Sequence, residues 1–265
     1  MLDIGFHQGA GLHSFTPQSE LRVLAVASQN NAASALETLW QICAHLQRLG
    51  LPVVVLDGTA QETEDSPGLL HLLLQMPGSH SAGLHAGAQA HSLAVIPAAR
   101  GLHHLHQEVR SPQTPALSRL LPYFRSYGLV VLHAPAATLG PLLAHTATLP
   151  LVVMGSGSAG VLASYRCLKQ IALDAGLPCM VAALLRSDTA SERHRTRSAL
   201  QTLQACAQRH LGGPVRTTTI ALRNPQDIQR LALQLLENAG TIHGPVTAWP
   251  PSHLTNMPAY FVRNH

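Results

Sequence analysis

Seventeen histidines, thirteen carboxylates and a single lysine, Lys169, make up an unusual set of reactive side chains for a 265-residue chain. Three arrangements among them could do chemistry. The first is Ser28-Gln29-Asn30-Asn31-Ala32-Ala33-Ser34, which joins an apolar run to a helical pattern. Such a junction offers backbone amides and a helix N-terminus to a phosphate. Hydrolysis of a nucleotide there needs glycines for close approach, a lysine on the β and γ phosphates and a Ser or Thr for Mg²⁺. This loop has neither glycine nor lysine, which leaves weak anion binding by its amides. The second is His103-His104-Leu105-His106, where 103 and 106 share a helical face. Only Glu62 or Glu108 is at hand to complete a tetrahedral metal set, so solvated helix histidines are the plainer account. The third is Gly155-Ser156-Gly157-Ser158-Ala159-Gly160, glycine-rich like a phosphate loop but placed after a later strand, and read as a strand-to-helix turn.

Two isolated groups stand at strand ends. Asp57 reads as an acid capping its own loop, and His133 as a group able to change charge near neutral pH. Lys169 falls inside a helical pattern and reads as a surface or dimer-face lysine. Cys43, Cys167, Cys179 and Cys206 form no CxxC pair and read as reduced packing residues. No Ser-His-Asp or Cys-His arrangement stands out.

The elements that must position these groups are legible as short apolar runs alternating with helical periodicity. Strands are expected at 22–28, 53–57, 92–97, 129–133, 151–154, 179–185 and 217–221. Helices are expected at 32–49, 68–76, 102–110, 116–125, 159–175, 190–210 and 225–238. Continuous apolar strands alternating with helices imply an α/β fold, a mostly parallel central sheet with helices on both faces. Residues 1–20 form a polar lead, 21–240 the domain, and 241–265 a proline-rich tail expected to be extended. Hydrophobic residues make up 46% and charged residues 11%, so a large core is expected and global disorder is not. No apolar run is long enough to span a bilayer, and the first residues lack the pattern of a secretory signal, so a cytoplasmic location is expected. A net charge of +4 carried almost wholly by arginine does not indicate nucleic acid.

The arrangement resembles the MinD/ParA class of deviant Walker P-loop ATPases, and most closely the FlhG/FleN regulators of flagellar number. Val95-Ile-Pro-Ala-Ala-Arg-Gly101, Ala159–Ile171 with Tyr165 and Leu168-Lys169, and Leu185-Arg186-Ser187 resemble that family's segments after strands three, five and six. In the family, strand one is followed by Gly-Lys-Gly-Gly-Val-Gly-Lys-Thr. Aligned without gaps from Ser28 to Gly50, its first lysine falls on Asn30 and its glycines on Gln29, Asn31, Ala32 and Ser34. Its second lysine falls on Ala35 and its Mg²⁺-binding threonine on Leu36. The family's Leu-Asp-Ala-Asp reads Leu56-Asp57-Gly58-Thr59, losing the second acid. Its switch II aspartate is His133, and its adenine-contacting asparagine falls near Ala183.

The resemblance also implies a role for the lead. FlhG-type proteins carry Asp-Gln-Ala-x-x-Leu-Arg ahead of strand one, which contacts the FlhF GTPase. Here the stretch is His7-Gln8-Gly9-Ala10-Gly11-Leu12-His13, keeping Gln8 and Leu12 and replacing the flanking Asp and Arg with histidines. The implied protein is a pseudo-ATPase that regulates flagellar assembly, number or placement through contact with an FlhF-type GTPase, and is recruited through partners to the cell pole. No cofactor or metal is expected, ATP and Mg²⁺ included, nor an ATP-dependent homodimer. Relatives end in a membrane-binding amphipathic helix. Residues 245–265, with Trp249, Pro250, Pro251, Tyr260 and Phe261, cannot form a long one, so membrane recruitment by that route is not expected. Two other readings stay open: a weak residual nucleotide enzyme, and a localisation scaffold for a pilus or secretion system.

Overall fold

The computed structural model describes residues 20–29, 33–75, 93–107 and 116–243. They form β1 (Glu20–Ser28), α1 (Ala33–Arg48), β2 (Val53–Asp57), α2 (Gly68–Leu74), β3 (Ala94–Pro97) and α3 (Ala99–Gln107). A 3₁₀ turn (Ala116–Leu120) leads into α4 (Leu121–Phe124), followed by β4 (Leu129–Pro135), α5 (Ala136–Leu143), β5 (Leu151–Met154) and α6 (Gly157–Ala175). The chain continues through β6 (Met180–Leu185), α7 (Ala190–Leu211), β7 (Arg216–Ala221), α8 (Pro225–Glu237) and β8 (Gly240–His243).

Seven strands pair in the order β3-β2-β4-β1-β5-β6-β7, all parallel. The strands are apolar on both faces because both are covered. Val54 and Leu56 of β2 enter one core with Leu102 of α3, Leu139 of α5 and Leu168 of α6. Val53 and Val55 enter the other, with Leu39 and Ile42 of α1 and Leu231 of α8. That alternation is the two-residue period of a strand read against two helical layers.

Local signals set the long helices. Thr189 caps α7 by accepting from the Glu192 amide at 3.3 Å, and Asn224 caps α8 by accepting from the Gln226 amide at 3.1 Å, with Pro225 opening the helix. Gly176 and Gly212 end α6 and α7 at φ +67° and +74°, conformations that most side chains resist.

Three differences from the sequence expectations have physical causes. Helix α5 was not expected, because Pro135 and Pro141 flank and interrupt it. Pro135 precedes its first turn, and the short apolar helix is held by burial of Leu139, Leu142 and Leu143. The helix expected at 116–125 is a 3₁₀ turn and one α turn, broken where Pro122 enters. Residues 240–243, expected as the last residue of the domain and the start of an extended tail, pair antiparallel with β1, from Glu20↔His243 to Val23↔Gly240. Gly240 fits there because a Cβ would lie 2.2 Å from Thr148 Oγ1.

The cysteines sort by burial. Cys43 and Cys179 are buried and their thiols are pushed up to about 12, and burial also raises Cys167. Cys206 is exposed. One thiol is therefore expected to react rapidly with a disulfide reagent in the native protein and all four after denaturation. Two or more fast native thiols would contradict this packing.

Candidate functional site

The carboxyl ends of the central strands collect the groups singled out in the sequence. Asp57 closes β2 and His133 lies near the end of β4, directly opposite it in the strand register. His133 Nδ1 sits 3.1 Å from Asp57 Oδ1, with side-chain exposures of 3% and 18%. An ionised carboxylate only accepts, so Nδ1 carries the proton and donates. The same Oδ1 accepts from the Thr59 amide at 3.0 Å and from its hydroxyl at 2.7 Å. Burial pushes the Asp57 carboxyl up, but these bonds outweigh it and hold its pKa down at about 2. The acid thus caps its own loop, as expected, and is also the partner of His133, which sequence spacing could not show. Nε2 of His133 is buried without a hydrogen-bond partner among the described residues.

The loop after β1 is placed only in part. Gln29 is half-buried and its Nε2 donates to Ser164 Oγ on α6 at 3.3 Å, tying the end of β1 to the neighbouring helix. Asn30, Asn31 and Ala32 lie outside the described residues, and Ser34 is placed only as part of the first turn of α1. Ala35 is 7% exposed and belongs to the core beneath α1, and Leu36 packs against the same core. At the two positions the resemblance equates with a lysine and a Mg²⁺-binding threonine, the side chains are apolar and directed into packing. Ala183 is 1% exposed within β6, level with Met154 of β5 and Thr219 of β7. Its side chain has no polar atom to offer a purine. His7, Gln8, Leu12 and His13 lie outside the described residues, as does the segment from 244 onward.

The remaining candidates fall apart as a metal set. Glu62 is 6% exposed and its two oxygens accept from the amides of Arg100 and Gly101, each at 2.7 Å. It is a side-chain cap delivered to the N-terminus of α3 from a loop 38 residues earlier. His103 is occupied with Gln107 at 2.8 Å on the exposed face of α3. Among the described residues no group of three or more His, Cys, Asp or Glu is placed to hold a metal ion. Gly155–Gly160 is a strand-to-helix turn, with Gly157 at φ +78° and Gly160 packed so that a Cβ would lie 2.2 Å from the Gly155 carbonyl.

Sequence reasoning missed the surface beside this turn. A groove of about 1360 Å³ runs between α6 and α7. Met154, Ala183 and Leu203 contribute apolar lining, and Lys169, Arg186 and Arg195 line it with cations. Lys169 is an exposed helix residue, as expected. Arg195 is bridged to Glu192 at 3.0 Å. The groove's only sequence signal is the basic run of α7 opposite the exposed Leu162 of α6.

Neither a protein-family model nor a curated protein sequence matches the chain. Solved structures do. Cobyrinic acid a,c-diamide synthase from Mycobacterium smegmatis, with a bound ATP analogue and magnesium, is 18% identical, with a TM-score of 0.50 over 82% of this chain and 95% of that one. A ParA family ATPase from Chlorobium tepidum TLS is 15% identical, with a TM-score of 0.47 over 83% of this chain and 96% of that one. The MinC:MinD cell division protein complex of Aquifex aeolicus aligns at 14% identity, with a TM-score of 0.49 over 81% of this chain and 95% of that one. At the TM-score of the synthase the likeness establishes the fold: a mostly parallel sheet flanked by helices, whose strand ends face the site described above.

Proposed function

We propose that this protein is a pseudo-ATPase of the MinD/FlhG class that regulates flagellar assembly, number or placement by binding proteins. The observation that carries the reading is the fate of Asp57, the acid that closes β2. It accepts from His133 and Thr59, and the positions of the catalytic lysine and the Mg²⁺ hydroxyl are Ala35 in the core and Leu36 packed against it. A triphosphate at this place would meet no lysine, no Mg²⁺ hydroxyl and no second acid, the elements that neutralise charge and orient water. The single lysine of the chain lies on α6, so the loss is not made good from β1 or α1.

Without turnover, the molecule acts through contact. The lead carrying His7, Gln8, Leu12 and His13 is the segment through which it meets an FlhF-type GTPase, and its location follows that partner. The apolar-floored groove between α6 and α7 supports a binding role of the same general kind.

Two measurements test the reading. Calorimetric titration with ATP or ADP and Mg²⁺ is expected to show no micromolar binding and no Mg²⁺-dependent turnover. Capture of purified FlhF-type GTPase is expected to succeed with the full chain and to weaken about tenfold for Gln8→Ala. Micromolar nucleotide binding with turnover would replace this reading with a residual enzyme. Failure to capture the GTPase at any concentration would remove the flagellar assignment.

A further inference from the structure

Strand β7 ends the sheet, and its far edge meets no other strand among the described residues. In a parallel pair, alternate residues direct both N–H and C=O at the neighbouring strand, and the residues between them direct both away. The N–H of Ala221 donates to Asp227 Oδ2 at 3.0 Å and so faces away from β6. By that alternation Thr219 and Thr217 face away as well. The two ends of this edge are satisfied by side chains. Asp227 takes the Ala221 N–H, and Gln204 Nε2 reaches the Val215 carbonyl at 3.3 Å and Thr217 Oγ1 at 3.1 Å. Between these two caps no described group bonds the outward main chain of Thr219.

The open stretch is the floor of a groove of about 560 Å³. Its walls come from opposite faces of the sheet. Helix α7 packs on one face through Leu200 and Leu203, and α8 on the other through Ile228 and Leu231. Because Arg193 and Arg197 of α7 and Arg230 of α8 line the same groove as Thr217 and Thr219, the groove straddles the sheet edge. Arg193 is bridged to Asp188 at 2.6 Å and Arg230 to Asp227 at 2.8 Å. Arg197 is exposed and forms no salt bridge among the described residues, which leaves the groove with surplus positive charge.

An unpaired edge is a template for another strand, and proteins usually blunt it with charge, a bulge or a cover. Here the edge is recessed between two helices. A second copy of the chain, its own edge recessed in the same way, cannot reach it. One extended segment can. We propose that the β7 groove binds an extended acidic segment of a partner protein, which joins the sheet through the outward N–H and C=O of Thr217 and Thr219 while its carboxylates meet Arg197 and Arg193. Main-chain bonds supply affinity in this mode, and the flanking side chains select the sequence. Selection is for acids, since a basic strand would face the arginines at close range. This surface lies on the outer edge of the sheet, apart from the Asp57–His133 pair at its middle.

The test uses the full chain and a fluorescent peptide of alternating Glu and Val, six residues long, with blocked ends. Saturable binding is expected, together with slowed hydrogen exchange of the Thr219 amide. Three changes should each weaken binding about tenfold or more: Arg197→Glu, replacement of the peptide's glutamates by lysine, and N-methylation of the peptide's alternate amides. Thr219→Pro removes an N–H that makes no bond to β6, and should abolish binding while the melting temperature stays within a few degrees. Should that variant not fold, the N-methylated peptide decides the same point. Equal binding of the methylated and plain peptides, no binding at millimolar peptide, or competition by duplex DNA that depends on Arg197 but not on the Thr219 amide would each overturn the proposal. The last result would assign a basic patch to nucleic acid instead.

Discussion

Glu62→Ala is expected to lower the stability of the protein by about 4 kcal/mol. The carboxylate is buried and makes two 2.7 Å bonds to the amides of Arg100 and Gly101 in the first turn of α3. Bonds from charged groups contribute roughly 1.5–3 kcal/mol each, and truncation leaves both amides short of a partner away from water. The helix N-terminus also loses the negative charge that its dipole favours. Set against a total stability of about 5–15 kcal/mol, the loss is large. Neighbouring contacts amplify it. Gly68 sits at φ +59°, where a Cβ would lie 2.6 Å from Glu62 Cγ and 2.2 Å from the Pro97 carbonyl, so loop, α2, β3 and α3 meet at this side chain. Urea denaturation should show the midpoint falling with little change in slope. Glu62→Gln keeps the shape and one good acceptor and should lose less than half as much. Had Glu62 been a metal ligand, a chelator would reproduce the alanine phenotype, and no such effect is expected.

His133→Asp, which restores the acid that the resemblance places there, is expected to destabilise the protein by about 3–5 kcal/mol at pH 7. The substitution removes a bond to a charged group and sets two carboxylates across adjacent strands, where His133 and Asp57 are now 3.1 Å apart. The pH dependence should invert. In the wild type, Asp57 titrates at about 2, against an ordinary value of 3.8. Its contribution is complete above about pH 4 and is lost as the pH falls through about 2, an amount on the order of 1 kcal/mol after screening of the partly exposed carboxyl by solvent. In the variant, one of two facing carboxyls takes up a proton well above pH 4, so stability should rise as the pH falls from 7 towards 5. Millimolar Mg²⁺ should raise the melting temperature of the variant and leave the wild type unchanged, because paired carboxylates are what the cation selects. A variant whose stability is flat between pH 7 and 5 would show that residue 133 does not face Asp57.

Much of the fold was legible because buried parallel strands announce themselves as unbroken apolar runs. The spans 53–57 and 151–154 were read to the residue. Where proline or glycine dominated the local pattern, packing overrode it, as in α5 with its internal Pro141 and in β8 opening on Gly240. The site was legible as residue types and illegible as pairs. Asp57 and His133 could be named, but their bond spans 76 positions and depends on the β2–β4 register. Glu62 carried no local signal, because its partners are main-chain amides 38 and 39 positions away, and every residue has an amide. The β7 groove was hidden for a related reason, since an open edge is a property of strand order.

The pairing of β8 with β1 bears on how the molecule is made. Strand β1 is central in the sheet, and on one of its edges the stretch Glu20–Val23 finds its partner in residues 240–243, far along the chain. Contacts of such sequence separation are slow to form, because a long loop must close before they contribute. During synthesis that half-edge of β1 stays open while β4 covers the opposite edge and β5 arrives beside Val26 and Ala27. A nascent chain stalled before residue 240 thus exposes an apolar strand edge at its core, the kind of surface that holding chaperones recognise. Closure of β8 is the step that ends this exposure, and it brings residues 20 and 243 side by side.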